Sequence, residues 1–205
     1  SCSLVGSEMC IRDSINILVF DTELYSNTGG QASKATPTGS TARFATDGKR
    51  RKKKDLAAMM MTYGNVYVAQ VAMGANLQQT LKAFLEAEQY PGPSLIIAYA
   101  PCICHGIKAG MGSAAHEEAK AVQSGYWHLF RFHPARIAQG ENPLTLDSKE
   151  PMMPYAEFLS GETRFTALQK ENPKLAEILF LQAAQYAKER YAFLEKLVHF
   201  YDPKG

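Results

Sequence analysis

Short apolar runs alternate with helix-like segments along most of the chain, and this alternation is the feature that most limits the possible folds. The apolar runs lie at 15–20, 66–71, 94–100 and 126–132. Helical patterns lie between them, over 55–63, 77–89 (with Asn76 as the expected N-cap) and 113–123 (with Ser113 as the expected N-cap). Parallel strands need a long crossover connection, which is usually a helix. The sequence therefore predicts an α/β fold with a mostly parallel sheet flanked by helices, in which the first strand is buried.

The pattern changes after the fourth apolar run. Residues 135–153 are loop-like, and two helical patterns follow over 155–170 and 174–201. The second of these has an apolar stripe at helical spacing. We therefore expect two parts: a partial α/β domain over 15–134, and a C-terminal loop and helical extension over 135–205.

The first fourteen residues, SCSLVGSEMCIRDS, share no pattern with the rest. They lack the apolar core of a signal peptide, and they do not begin with Met. The text resembles translated sequencing-adapter sequence. We expect residues 1–14 to be a non-native leader that packs against nothing, and the α/β domain to be truncated at its N-terminal side.

Composition and charge exclude several classes of partner. The 205 residues are 46% hydrophobic and 20% charged, with a net charge of +2, which is typical of a globular protein and gives no case for a nucleic-acid or membrane partner. The cationic run 49–54 is more often a solvated loop than a nucleic-acid patch. Four cysteines are too few for a small secreted disulfide scaffold. We expect a cytoplasmic protein.

The stretch DTELYSNTGGQASKATPTGS, residues 21–40, is the strongest candidate for a site. It leaves the carboxyl end of the first predicted strand, which is where ligands bind in open α/β sheets. Its many side-chain oxygens are of the kind that Mg²⁺ prefers, and Gly29-Gly30 allow an anion to approach the backbone closely. From the residues alone two interpretations stay open: a phosphate and magnesium site, or a hydrogen-bonded surface loop.

This stretch and its neighbours in order resemble the carboxyl-terminal thiamine-diphosphate-binding domain of pyruvate:ferredoxin (flavodoxin) oxidoreductases. The matching segments are DTELYSNTGGQASKATPTGS, ARFA, KKDLAAMMMTYGNVYVAQVAMG, PGPSLIIAYAPCICHGI, SGYWHLFRFHP and NPLTLDSKEP. The resemblance is dense from Ile15 to about Pro151 and looser in the terminal helices. It implies a thiamine-diphosphate-binding fold.

The resemblance also implies a fragment of an enzyme that decarboxylates pyruvate oxidatively with thiamine diphosphate. Coenzyme A would take the acetyl group, and electrons would pass through iron–sulfur clusters to ferredoxin or flavodoxin. The full-length enzyme would be a homodimer. We expect this fragment alone to be inactive, because the family's Gly-Asp-Gly turn, its activating Glu and most cluster cysteines do not occur in it. The alternative is a non-catalytic α/β binding or assembly module.

The resemblance assigns roles to three residues of the loop. The side chain of Thr22 and the backbone carbonyl of Leu24 match two Mg²⁺ ligands of the family. The family usually has Val at the position of Leu24, a change that a main-chain ligand tolerates. Asn27 matches the active-site Asn beside the thiazolium and the bound oxoacid, so we expect it to be catalytic and cofactor-binding.

Two cysteines follow the third predicted strand, in Cys102-Ile103-Cys104-His105. From the residues alone they fit an idle thiol pair, or a zinc site with a spacing tighter than the usual C-x₂₋₄-C. The resemblance makes Cys102 the fourth thiolate of a [4Fe–4S] cluster, whose other three cysteines come from an upstream segment. It assigns no role to Cys104.

Overall fold

The predicted alternation of strands and helices is present in the computed structural model, which describes residues 14–203. Seven strands are found in this range: β1 Asn16–Asp21, β2 Leu24–Tyr25, β3 Gln31–Ala32, β4 Tyr67–Val71, β5 Ser94–Tyr99, β6 Phe130–Phe132 and β7 Leu144–Leu146. Five of them form one sheet in the order β1-β5-β4-β6-β7. β2 and β3 form a separate antiparallel pair within the long loop after β1.

The sheet has a parallel core and an antiparallel side. β5 lies between β1 and β4 and runs parallel to both. Ala98 of β5 lies opposite Phe20 of β1 on one side and opposite Val71 of β4 on the other. β6 runs antiparallel to β4, and β7 runs antiparallel to β6. The fold is therefore α/β with a mixed five-stranded sheet, and the carboxyl ends of β1, β4 and β5 meet at one edge.

The first strand is much more exposed than its apolar sequence predicts. The side chains of Ile17, Leu18 and Phe20 are 43%, 39% and 67% exposed. β1 is an edge strand, paired only with β5, and the described residues do not cover it. The expectation of a buried first strand is therefore wrong, because an apolar run does not by itself tell an edge strand from a central one.

Six α-helices lie among the described residues: α1 Leu56–Met61, α2 Leu77–Gln89, α3 Ala114–Gln123, α4 Tyr155–Ser160, α5 Thr163–Glu171 and α6 Pro173–Phe200. The expected cap of α2 is confirmed, since Asn76 Oδ1 accepts a hydrogen bond from the Gln79 amide at 3.0 Å. Ser113 does not cap α3, because its hydroxyl donates to the Gly110 carbonyl instead. The helix expected over 155–170 is two helices, interrupted at Gly161 and Glu162.

The C-terminal residues contribute to the main core as well as to the sheet. β7 is the outermost strand on its side of the sheet. Phe158 of α4, Phe165 of α5 and Leu194 of α6 are each at most 1% exposed and pack in the same cluster as Phe130 and its neighbours on the sheet. The division between 134 and 135 stays a prediction. Of the predicted leader, residues 1–14, only Ser14 lies in the described range.

No helix within residues 14–203 has the length and apolar character needed to cross a bilayer.

Replacing Leu194 by alanine tests how far α6 belongs to the core. Leu194 is fully buried, so Leu194→Ala should lower the free energy of unfolding by about 2–5 kcal/mol, through lost transfer energy and a residual cavity. Leu181→Ala on the same helix is the control, since Leu181 is 67% exposed and should change stability by less than about 0.5 kcal/mol. Urea unfolding followed by circular dichroism measures both, and equal effects would mean that α6 is not packed as described.

Candidate functional site

The turn directly after β1 brings together the two residues expected to bind magnesium. The hydroxyl of Thr22 donates a hydrogen bond to the carbonyl oxygen of Leu24 at 3.0 Å. Octahedral Mg²⁺ with ligands at about 2.1 Å places adjacent oxygens about 3.0 Å apart. This distance is that of an ordinary hydrogen bond, and it is also compatible with both oxygen atoms binding one Mg²⁺ ion as neighbouring ligands.

Asn27 lies on the exposed outer end of the same loop. It is the middle residue of a 3₁₀ turn over Ser26–Thr28, between β2 and β3. Gly29 and Gly30 reverse the chain with φ angles of 104° and 86°, which other residues rarely adopt. The Gly30 amide donates to the Tyr25 carbonyl at 2.9 Å. This closed loop holds the Asn27 side chain at the surface, on the same edge of the sheet as Thr22.

The two cysteines lie at the neighbouring strand end. β5 pairs with β1 in parallel, and Cys102 and Cys104 follow β5 as free, half-buried thiols. The Cys104 amide donates to the Cys102 sulfur at 3.5 Å. A Cβ atom on Gly30 would lie 3.2 Å from the Cys104 sulfur, so this thiol packs directly on the glycine turn. Burial, together with the nearby Cys102 thiol, raises the pKa of Cys104.

His105 connects the cysteine loop to the threonine turn. Its Nε2 atom is 2.9 Å from the Thr22 carbonyl oxygen, and because a carbonyl only accepts, this nitrogen carries the proton. Its Nδ1 atom lies 3.7 Å from Glu162 Oε1, and its ring stacks on Tyr99 with centroids 6.2 Å apart. The imidazole is fully buried. The positions of Cys102 and Thr22 are therefore linked through one rigid side chain.

A buried ion cluster holds the turn from below. The carboxylate of Glu23, the residue between the two expected ligands, accepts from Lys53 at 2.6 Å, from Arg164 at 2.7 Å and from the Tyr126 hydroxyl at 2.5 Å. Lys53 also pairs with Asp21 at 2.7 Å. Glu23 is 1% exposed and has a φ of 61°, which is uncommon for a residue other than glycine. Its side chain therefore fixes a backbone conformation that the chain would not otherwise favour.

The charges in this cluster keep Glu23 ionised. Burial alone would raise the pKa of its carboxyl, but the positive charges of Lys53 and Arg164 outweigh burial and lower the pKa to about 2. Arg164 in turn donates to Glu162 at 2.7 Å, and the pKa of Glu162 is lowered as well, since its burial is outweighed mainly by Arg164.

Sequence reasoning brought out Thr22, Leu24, Asn27 and Cys102, and the structure sets all four on the loops that follow β1 and β5. It missed Glu23, His105 and Arg164 as supporting residues. Arg164 is 141 positions from Glu23, and no local pattern signals such a pair. The one available signal was Glu23 itself, an acidic residue between two expected ligands. Within residues 14–203, no three His, Cys, Asp or Glu side chains are grouped as in a metal site.

Comparison with known proteins agrees with this geometry. The family described as "Thiamine pyrophosphate enzyme, C-terminal TPP binding domain" matches residues 9–98. That range includes the Thr22–Asn27 turn and ends before Cys102. Residues 9–98 are less than half of the chain, and over that range the parallel strands and the oxygen-rich turn at their carboxyl edge agree with a C-terminal domain of the thiamine pyrophosphate enzymes.

Within that class, the chain is similar to one segment of several pyruvate oxidoreductases. It is 56% identical over 185 residues to the pyruvate-flavodoxin oxidoreductase of Klebsiella pneumoniae, and 55% identical over 184 residues to the pyruvate:ferredoxin oxidoreductase of Moorella thermoacetica. It is 51% identical over 178 residues to the mitochondrial pyruvate dehydrogenase [NADP(+)] of Euglena gracilis. These matches cover 90%, 90% and 87% of this chain but 16%, 16% and 10% of the relatives. The chain therefore spans a small part of the proteins that it resembles.

The low pKa of Glu23 predicts how the free energy of unfolding changes at acid pH. A carboxyl with a pKa of about 2 in the folded state and about 4.5 in the unfolded state stabilises the fold above pH 4.5, and this contribution is lost as the pH falls towards 2. Between pH 5 and pH 3 the loss should be about 2 kcal/mol. Urea unfolding at pH 5, 4 and 3 should show a fall in stability that is steeper by this amount in the wild type than in Glu23→Gln. Parallel pH profiles would contradict the assigned ion cluster.

Proposed function

We propose that this chain is the cofactor-holding part of a pyruvate:ferredoxin or pyruvate:flavodoxin oxidoreductase. The observation that carries the proposal is the 3.0 Å spacing between Thr22 Oγ1 and the Leu24 carbonyl oxygen, in a domain of the thiamine pyrophosphate class. In this role the two oxygens bind the Mg²⁺ that holds the diphosphate. When bound, thiamine diphosphate supplies the electron sink that decarboxylation of a 2-oxoacid requires.

In this proposal, the chain's own residues bind the metal ion and orient the cofactor and the oxoacid. Thr22 and the Leu24 carbonyl, which share a hydrogen bond in this structure, would hold the metal, and the contacts of Glu23 would keep their turn in place. Gly29 and Gly30 let the Arg43 guanidinium and the Cys104 thiol pack directly against the turn, since a Cβ atom at these positions would lie only 2.8 Å and 3.2 Å from them. Asn27, exposed beside them, would offer its carboxamide group to the cofactor and the oxoacid.

Cys102 has a separate role in the proposal, as a thiolate ligand of a [4Fe–4S] cluster. A free, half-buried thiol is a suitable iron ligand, and the cluster needs further cysteines from outside these residues. β1 and β5 are neighbours in the sheet, so the cluster would lie close to the cofactor. His105 would keep that separation fixed through its contact with the Thr22 carbonyl.

The remaining parts of the reaction belong to the whole protein. We propose pyruvate and coenzyme A as its substrates, ferredoxin or flavodoxin as the electron acceptor, a homodimer as its assembly and the cytoplasm as its location. The names of the Klebsiella and Moorella relatives support the acceptors. The second candidate, a non-catalytic α/β binding module, shares the fold but would not need paired magnesium ligands.

Thr22→Val tests the magnesium assignment. The assay uses a chimera in which residues 15–203 replace the matched segment of the Moorella enzyme, which is 55% identical. The wild-type chimera should reduce ferredoxin with pyruvate and coenzyme A. Thr22→Val removes an oxygen ligand and should raise the Mg²⁺ concentration needed for half-activity by roughly tenfold or more, since even residues behind a ligand cost 10–100-fold in metal affinity.

Leu24→Val is the matched control for this experiment. It changes a side chain but keeps the carbonyl that binds the metal, so its Mg²⁺ dependence should equal that of the wild-type chimera. If Thr22→Val also has the wild-type Mg²⁺ dependence, the hydroxyl is not a ligand. An inactive wild-type chimera with an intact fold would favour the non-catalytic module.

Cys102→Ser and Cys104→Ser distinguish the two thiols in the same chimera. Serine lacks the soft thiolate that an iron–sulfur cluster requires, so Cys102→Ser should lower iron content or change the electron paramagnetic resonance signal of one cluster. Cys104→Ser should leave both unchanged, because Cys104 packs on Gly30 and is not assigned to iron. Equal iron loss in the two variants, or loss only in Cys104→Ser, would reverse the assignment.

A further inference from the structure

A separate cavity lies on the other side of the ion cluster, between the sheet and the last helix. Its volume is about 150 Å³. Asp21, Glu23 and Lys53 line one side of it, and Ala187 and Arg190 of α6 line the other. Thr22, Leu24, Asn27 and Cys102 do not line it, so it is distinct from the proposed cofactor site. We call it the α6 cavity.

The walls of the α6 cavity are mostly apolar. They include the aromatic side chains of Tyr126, Trp127, Tyr155 and Tyr186. Four residues of α6 line it at helical spacing, namely Ala183, Tyr186, Ala187 and Arg190. Sites for small molecules have this character, with apolar and aromatic walls and a few polar groups that fix orientation.

Two buried polar atoms of the lining residues have no hydrogen-bond partner within the described part of the chain. Arg190 binds Asp55 through Nε at 2.9 Å and through Nη2 at 3.1 Å, but its Nη1 atom is buried and unpaired. His128 is 4% exposed, and its Nε2 atom is likewise buried and unpaired. An unpaired buried group is unfavourable, and because a guanidinium nitrogen can only donate, Arg190 Nη1 lacks an acceptor.

The charge of the lining limits which acceptor fits. The positive charge of Lys53 is compensated by Asp21 and Glu23, and that of Arg190 is partly compensated by Asp55. Lys52 and Lys54, both exposed, also belong to the lining. Lys52 pairs with Glu189 at 3.8 Å, so Lys54 is the lining cation for which the described residues show no ion pair. Burial lowers the pKa of Arg190 even beside Asp55, so its charge is not fully compensated.

We propose that the α6 cavity binds a small organic monocarboxylate. Its carboxylate accepts a hydrogen bond from Arg190 Nη1 near His128, and its short carbon chain lies against the aromatic walls. A cavity of this volume holds the equivalent of about five water molecules, which suits a carboxylate of two to four carbons. A dianion such as phosphate fits less well, because it would bring two negative charges to a lining that contains three carboxylates.

Trp127 provides a direct readout of binding. It lines the cavity and is the one tryptophan of the chain. Propionate should change its fluorescence saturably at constant ionic strength and without thiamine diphosphate, with a dissociation constant of about 1–10 mM, as expected for a ligand of about five non-hydrogen atoms. Propionamide, a neutral ligand of the same shape, and phosphate should give no saturable change at these concentrations.

Ala187→Leu fills the cavity without removing a charge. It should abolish the response to propionate, whereas Gln182→Leu, which introduces the same residue at an exposed position of α6, should retain it. Arg190→Gln removes the proposed donor and should weaken propionate binding at least tenfold. Circular dichroism of each variant checks that the fold is intact.

Three outcomes would overturn the proposal: no saturable response to propionate in the wild type, an equal response to propionamide, or a full response that persists in Ala187→Leu. A saturable response to phosphate instead of propionate would also overturn it, and would identify an inorganic anion site. These measurements use no cofactor, so their result is independent of the magnesium and cluster assignments.

Discussion

The contact between the Glu23 carboxylate and its three donors supports the rest of the site. Lys53, Arg164 and Tyr126 reach Glu23 from the end of the long loop, from α5 and from the segment before β6. All three contacts are 2.7 Å or shorter, and both partners of the Glu23–Arg164 pair are buried. Removing one partner of such a buried pair leaves an uncompensated charge and is strongly destabilising. The cluster therefore joins distant parts of the chain at the turn that carries the expected magnesium ligands.

The same cluster separates two kinds of surface. Above it lie the Thr22–Leu24 turn and the glycine loop, where we propose that the diphosphate and magnesium bind, and His105 connects the turn to the cysteine loop after β5. Below it, Lys53 and its partners form one wall of the α6 cavity. A ligand in that cavity would lie within one layer of side chains from the turn, so the two sites share the residues that hold them.

Much of the fold was predictable from periodicity and resemblance, and the reasons for the exceptions are physical. The strand–helix alternation and the Asn76 cap follow from local sequence. The exposure of β1 depends on its position at the edge of the sheet, and the break at Gly161 and Glu162 depends on Glu162 joining the buried cluster. The loop residues of the site were assigned through the resemblance, which matches them position by position within one continuous stretch. The support by Arg164 could not, because it depends on tertiary contact across 141 positions.

The central claim is that the Thr22 hydroxyl and the Leu24 carbonyl are neighbouring ligands of one magnesium ion. A crystal structure of the chimera with thiamine diphosphate and Mg²⁺ tests it most directly. Both oxygens should lie about 2.1 Å from the metal and still about 3.0 Å from each other, with Glu23 still bound to Lys53 and Arg164. A metal ion held without either oxygen, or a Thr22 hydroxyl that still donates to Leu24 with the cofactor bound, would contradict it.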